Sequence, residues 1–236
     1  MKKDNFVDKF NFCSKDCVLL IYDKIVRAER SHKVVYTSEF YTPNIWKTLE
    51  NLSGEIGVNI YSCGIFHDAE RKVLAFSEDP VKCSYPVKLL ELRCRSKFVK
   101  LRHSDYLGSL MSLGIKREKF GDLILQRDDL CYAAVCEDIS DYVKLNMDSV
   151  GKCPCKVSEI DINTGEIPNY SFETYILNVS SFRLDCMVSS LCNLSRRKSE
   201  DMIRQGKVLL DYLPVERKDK LAGDHCTITV RGYGKF

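Results

Sequence analysis

The sequence predicts an α+β protein in three parts: a small N-terminal α/β region over residues 1–80, a ferredoxin-like βαββαβ domain over 81–165, and a compact helix-and-sheet domain over 173–236. Three observations carry this. Apolar stripes at helical spacing are interleaved with runs of period-two alternation. From residue 81 their order is strand, helix, strand, strand, helix, strand. Residues 161–172 have turn chemistry and no period, and they set that string apart from two further helices and a few short strands.

Each element has a local cause. Asp16 is expected to cap a helix whose stripe is Val18, Leu19, Tyr22, Ile25 and Val26. Thr42-Pro43 starts another, with Ile45, Trp46, Leu49 and Leu52 inside and Gly54 at its end. Residues 58–62 and 71–76 alternate as strands; His67, Asp68, Glu70 and Arg71 between them read as a solvated turn with local ion pairs. In the middle domain, 87–95 alternates as a strand. Ser104 is expected to cap a helix that buries Leu107, Leu110 and Met111 and stops at Gly114. Residues 122–126 and 130–135 form a hairpin about Arg127-Asp128-Asp129. The helix over 137–147 places Glu137, Asp138 and Asp141 toward the positive end of its dipole and turns Ile139, Tyr142 and Val143 inward, and 155–160 closes as a strand.

After the connector, 173–179 reads as a strand. Leu184, Met187, Val188 and Leu191 then share one helical face, with Arg183 and Asp185 in the first turn. Ser195 caps a second helix that stops at Gly206, and strands follow over 208–211 and 227–231, with Gly223-Asp224 as a turn.

Composition excludes several classes. With 44% hydrophobic and 29% charged residues the chain can bury a core; it holds no apolar run long enough for a membrane span, and no secretory leader is expected. The 12 cysteines include Cys13/Cys17, Cys131/Cys136, Cys186/Cys192 and Cys153-Pro-Cys155, none of them a Cys-x-x-Cys knuckle. Free, apolar-packed thiols in a reduced, cytoplasmic protein are expected, with no metal. The 12 glycines form neither dinucleotide nor P-loop motif, and the 4 histidines are scattered without a nucleophile–base grouping. No catalysis, no cofactor and no small-molecule substrate are expected.

The net charge of +3 hides a patched chain: −1 over residues 1–80, +7 over 81–120, −6 over 121–172 and +3 over 173–236. Lys97, Lys100, Arg102, Lys116, Arg117 and Lys119 flank the first helix of the middle domain. Three of them fall within four residues after Gly114 and repel one another, a repulsion that a phosphate partner removes. Arg196, Arg197 and Lys198 stand at the start of a helix, where the dipole opposes cations and favours a bound anion. The βαββαβ plan is shared with RRM domains, which stack bases on central-strand aromatics. Here the third strand offers only Tyr132, and Lys119-Phe-Gly-Asp matches that consensus faintly, so base stacking has little support.

Arg183-Leu-Asp185, Ser195-Arg196, the helix end from Ile203 to Gly206 with Val208, Gly223-Asp224 and Val230-Arg231-Gly232 together resemble an S4 RNA-binding domain. Residues 107–123, the Ala69-Glu-Arg71 turn and the closing Arg231-Gly-Tyr-Gly-Lys-Phe are similar to the YlmH family, in which a small N-terminal region and an RRM-like middle domain precede a C-terminal S4 domain. Ser104 departs from the family's arginine, Ser199 from its alanine and Asp211 from its asparagine. The resemblance implies a non-enzymatic factor on the large ribosomal subunit, binding its rRNA and also tRNA. It would act in ribosome-associated quality control by stabilising peptidyl-tRNA there.

On this reading Arg183, Arg196, Arg197, Lys198 and Arg204 meet phosphates, Ser195 orders the helix start, and Asp185 orients an arginine. Lys207, Arg231 and Lys235 extend the rim, Gly232 and Gly234 admit close backbone approach, and Lys116, Arg117 and Lys119 add a second patch. Two other classes compete: an RNA-modifying protein akin to pseudouridine synthases, for which a middle segment of roughly 80 residues is small, and an interaction protein linked to cell division. Membrane binding is not expected, since no basic amphipathic helix is present.

Overall fold

The computed structural model describes residues 1–81, 85–95, 100–163 and 165–236; Lys97 lies outside the described residues. The chain divides into two compact units, Met1–Ser171 and Phe172–Phe236.

The first unit opens with α1 (Lys3–Asp8), α2 (Lys15–Ser31), β1 (Val35–Tyr36), α3 (Pro43–Asn51), β2 (Asn59–Cys63) and β3 (Val73–Ser77). The cap of α2 is Ser14 rather than Asp16: its backbone is extended and its hydroxyl accepts from the Cys17 amide at 3.4 Å. Asp16 is the second residue of the helix, in its first turn, where its charge still meets the helix dipole. Thr42 does precede α3, with Pro43 at its first position, but the helix ends at Asn51 and Gly54 falls in a separate 3-10 turn, Ser53–Glu55. The three strands form an antiparallel sheet in the order β1-β3-β2. Ile21 and Ile25 of α2 and Trp46 and Leu49 of α3 bury Leu74 and Phe76 of its central strand.

The same unit continues with β4 (Val87–Cys94), α4 (His103–Ser112), β5 (Phe120–Arg127), β6 (Leu130–Cys136), α5 (Glu137–Asn146), β7 (Ser149–Val150) and β8 (Cys153–Ile160). These strands form a second antiparallel sheet in the order β5-β6-β4-β8-β7. Alternation along β4 and β6 sends Leu90, Leu92, Ala133 and Val135 to one face, where Tyr106 and Leu110 of α4 and Val143 of α5 cover them. Ser104 does not cap α4: Arg102 is the cap, and the Asp105 carboxylate accepts the Arg102 amide at 2.7 Å. A carboxylate three residues in satisfies that amide better than a hydroxyl already inside the first turn. Tyr142, expected inside, is exposed and donates its hydroxyl to the Leu113 carbonyl at 3.5 Å.

The opposite face is closed at one end by the N-terminal region, for Phe40, Phe66 and Val73 pack with Val87, Leu89 and Ala134. Phe120 points into the helical face and Tyr132 donates its hydroxyl to Glu91 at 3.3 Å. The faint aromatic signal for base stacking therefore has a packing explanation.

The second unit contains α6 (Leu184–Leu191), α7 (Arg196–Arg204), β9 (Val208–Leu210), β10 (Leu213–Pro214), β11 (Ile228–Val230) and β12 (Gly234–Lys235). Its sheet runs β10-β9-β11-β12, and Leu184, Val188 and Ile203 of the helices pack on Val208, Ile228 and Val230. Residues 173–179 are not a strand. No described strand pairs with them, and Ile176 is 95% exposed. Alternation alone does not make a strand where the backbone finds no ladder partner.

Candidate nucleic-acid interface

The N-terminal ends of α6 and α7 meet at one buried carboxylate. Arg183 is the N-cap of α6, one position before the first turn expected for it, and Asp185 follows in that turn with no exposed side-chain surface. Its Oδ1 accepts Arg183 Nε at 3.1 Å and the Cys186 amide at 3.0 Å. Its Oδ2 accepts Arg183 Nη2 at 3.0 Å, Arg196 Nη2 at 3.2 Å and Arg196 Nε at 3.3 Å. These bonds, with Arg183's first, outweigh burial and hold the Asp185 carboxyl down at about 2. Two guanidinium groups are thereby fixed in direction while 35% of Arg183 and 60% of Arg196 stays exposed. One carboxylate against two arginines leaves a net positive charge beside the start of α7.

That start is built as the sequence suggests. Ser195 is extended and its hydroxyl accepts the Lys198 amide at 3.3 Å. Arg196, Arg197 and Lys198 fill the first turn and are exposed, with no acid among them. Ser199 is buried and turns its hydroxyl back to the Ser195 carbonyl at 3.0 Å, so this polar residue is satisfied inside the helix. Arg204 lies at the other end of α7, 3.7 Å from Asp201. Lys207 and Arg231 are neighbours, because the Arg231 amide donates to the Lys207 carbonyl at 2.9 Å. Lys235 sits with its ammonium 5.1 Å from the Tyr212 ring centre. Gly232 has a φ of 90°, a left-handed turn that a side chain resists, so its place in the motif has a backbone cause.

The sequence reading missed Arg217, Lys218 and Lys220. Their loop packs on the start of α6, where the Leu184 and Asp185 amides donate to the Lys220 and Lys218 carbonyls at 2.8 and 3.1 Å. The run Arg-Lys-Asp-Lys was a visible charge signal, but nothing local ties it to a helix thirty residues earlier.

The patch after Gly114 is a different matter. Arg117 Nη1 donates to the Phe120 and Gly121 carbonyls at 2.6 and 3.2 Å, and burial together with nearby Arg71 pushes its pKa down to about 10. Lys119 is 20% exposed and paired with Asp138. Lys116 is exposed, as are Lys100 and Arg102. Arg71 corrects the solvated turn expected around it. It is half-buried and donates to the Phe120 and Phe40 carbonyls at 3.1 and 3.2 Å, while the Glu70 and Arg71 amides donate to Asp122 at 2.6 and 3.1 Å. His67 Nδ1 and Asp68 Oδ1 do meet locally, at 3.0 Å. Residues 116–122 thus join the N-terminal region to the middle sheet. A Cβ on Gly121 would stand 2.7 Å from the Phe40 ring and 2.9 Å from the Ala134 methyl.

Among the described residues no His/Cys/Asp/Glu group could hold a metal ion, and no helix is long and apolar enough to cross a membrane. Among the described cysteines Cys94, Cys131, Cys136, Cys153 and Cys186 are buried free thiols, while Cys13, Cys17, Cys63, Cys155, Cys192 and Cys226 are half-buried.

Residues 80–164 match the family model described as a putative RNA-binding domain in YlmH. The chain is 28% identical over 219 residues to ribosome-associated protein quality control protein P2 of Bacillus subtilis (strain 168), covering 92% of this chain and 84% of that protein. A solved structure, cell division protein ylmH from Streptococcus pneumoniae, superposes with a TM-score of 0.52 at 21% identity, covering 64% of this chain and 94% of that one. At that identity the likeness is one of fold.

Proposed function

We propose, for a chain that belongs to the YlmH family, a non-enzymatic RNA-binding role in ribosome-associated quality control. In this reading residues 81–165 are an RRM-like domain and 173–236 an S4 domain. The S4 domain docks on structured rRNA of the large ribosomal subunit, contacts tRNA, and helps hold peptidyl-tRNA there, in the cytoplasm. The observation that carries it is the arginine pair fixed by Asp185 next to a Ser195-capped helix start with three exposed cations.

The physical fit is to a phosphate backbone. Free amides at the start of α7, a positive dipole end and preset guanidinium forks all favour anions. Such contacts position a folded RNA by shape and charge, with little base specificity. The name of the Bacillus subtilis relative supports the ribosomal setting, and the matched RNA-binding domain supports RNA as the partner.

The test is sucrose-gradient sedimentation of a lysate at low and high salt and after RNase treatment. Co-sedimentation with free large subunits, lost at high salt and with Arg196→Ala/Arg197→Ala/Lys198→Ala, is expected. Retention of the triple variant on the subunit refutes the assignment of this face. A wild-type protein at the top of the gradient in mild salt refutes stable ribosome binding, and a nuclease-resistant protein complex points instead to an interaction role.

A further inference from the structure

The first unit holds a cavity of about 740 Å³ that the RNA-binding reading does not use. It opens between the end of β2, the start of β4 and the end of β8, with Tyr36, Ile65, Tyr85, Val87, Ile160 and Ile162 among its walls. Its size is within the range that takes a small ligand or a few side chains. We propose that this cavity docks an extended segment of a partner protein carrying arginine or lysine beside apolar residues.

Three observations select that occupant. The walls are aromatic and aliphatic: the Tyr36 and Tyr85 rings meet edge to face, 5.4 Å between centres, and offer π-faces to a cation. The rim is acidic. Among the lining residues Lys88 is shared by Glu159 at 3.1 Å and Glu137 at 3.6 Å, and Asp161 adds a further carboxylate; Lys144, outside the lining, reaches Glu159 and Asp141 at 2.8 Å each. One lysine against three carboxylates leaves the described lining net negative, and Lys144 and Asp141 beside it cancel; this attracts a cationic side chain and repels an RNA backbone. The third observation is an open strand edge. On its outer side β8 pairs with β7 only at Cys153 and Pro154, whereas β4 pairs its inner side through Ile160. Among the described residues no strand covers the outer side of 156–160, so an extended chain can add there by backbone hydrogen bonding and deliver side chains to the cavity at its end.

The test uses the full chain and two blocked pentapeptides, Val-Arg-Val-Arg-Val and Val-Glu-Val-Glu-Val, with an oligouridylate as a third probe. Calorimetry gives affinity, and amide shifts locate binding. The arginine peptide is expected to bind, with shifts at Tyr36, Ile65 and Ile160, and the glutamate peptide not to. Glu137→Lys, on an exposed rim position, should weaken the arginine peptide by about threefold or more at low salt; Lys88→Met should tighten it by a similar factor. Both variants should leave oligouridylate binding unchanged. No binding of the arginine peptide at millimolar concentration overturns the proposal, as does equal binding of the two peptides or indifference to both variants. Oligouridylate shifts at the cavity residues would also overturn it, in favour of RNA. Loss of the S4-domain face in the triple variant above has no bearing on this outcome, so the two readings fail separately.

Discussion

Replacing Asp185 by asparagine separates the structural work of the arginine site from its proposed binding. The carboxylate is fully buried, accepts from Arg183, Arg196 and the Cys186 amide, and has its pKa lowered on folding from 3.8 to about 2. A shift of that size is worth about 2 kcal/mol at neutral pH, and exposure of the two guanidinium groups discounts it to about 1–2 kcal/mol. Because the pKa is depressed, this stability is present above pH 3.8 and is lost as pH falls through about 2. Asparagine keeps the shape but turns an NH2 toward guanidinium donors, which costs about 1 kcal/mol more. The expected loss is therefore about 2–3 kcal/mol, confined to the second unit. The chain has 1 tryptophan, Trp46 in the first unit, so its fluorescence in urea follows that unit alone. Native-state amide exchange along α6 reports the other. Asp185→Asn should speed α6 exchange about 30- to 150-fold, leave the Trp46 midpoint in place, and remove the steepening of instability between pH 4 and 2. Unchanged α6 exchange, or an unaltered acid limb, refutes the argument.

Gly121→Val should lower the Trp46 urea midpoint by an amount equal to about 1–3 kcal/mol, since the new Cβ meets the Phe40 ring and Ala134 at less than 3 Å. Arg117→Ala should also destabilise the first unit, by about 1–2 kcal/mol, while RNA affinity measured by filter binding stays near wild type; a large affinity loss at unchanged stability would put Arg117 on the RNA instead. Ser195→Ala should cost about 1 kcal/mol, seen as faster exchange of the Lys198 amide. Ile176→Ser should shift no unfolding midpoint by more than about 0.5 kcal/mol, because that side chain is 95% exposed.

Elements whose cause is local were legible in the sequence. The Thr42-Pro43 start of α3 and the Ser195 cap of α7 are each written within one helical turn, and the stripe of α2 was legible at Val18 and Ile25 though not at Ile21 and Ala28. The order β4, α4, β5, β6, α5, β8, without the short β7, followed from changes of period, with the hairpin turning at Asp128-Asp129. The caps of α2 and α4 were each expected two residues too late, a local miss, while the larger failures needed a partner distant in sequence. Residues 173–179 alternate like a strand, but pairing is a property of two segments, and Tyr106 is fully buried although no stripe position had been assigned to it. The two-residue strands β7, β10 and β12 are too short to carry a period.

Charge was the least legible property, and the arginines show why. A cation run in a sequence reports only that cations are present; whether they are free to bind depends on carbonyls and carboxylates that the fold brings in. Arg117 and Arg71 donate to backbone carbonyls of residues 40, 120 and 121, so both act as joints within the first unit. Arg183 and Arg196 also have a fixed partner, but a carboxylate that two guanidinium groups share leaves each with donors and surface to spare. Rigid, half-exposed and jointly positive, that pair is preorganised for a second anion. Arg71 and Arg117, half-buried against neutral carbonyls, are not. The same subtraction removes Lys119, paired with Asp138, and leaves Lys116 as the exposed cation of its run. On the proposed function, the phosphate-binding load therefore falls on the second unit, and the acidic rim of the first unit's cavity is left free for a partner of the opposite charge.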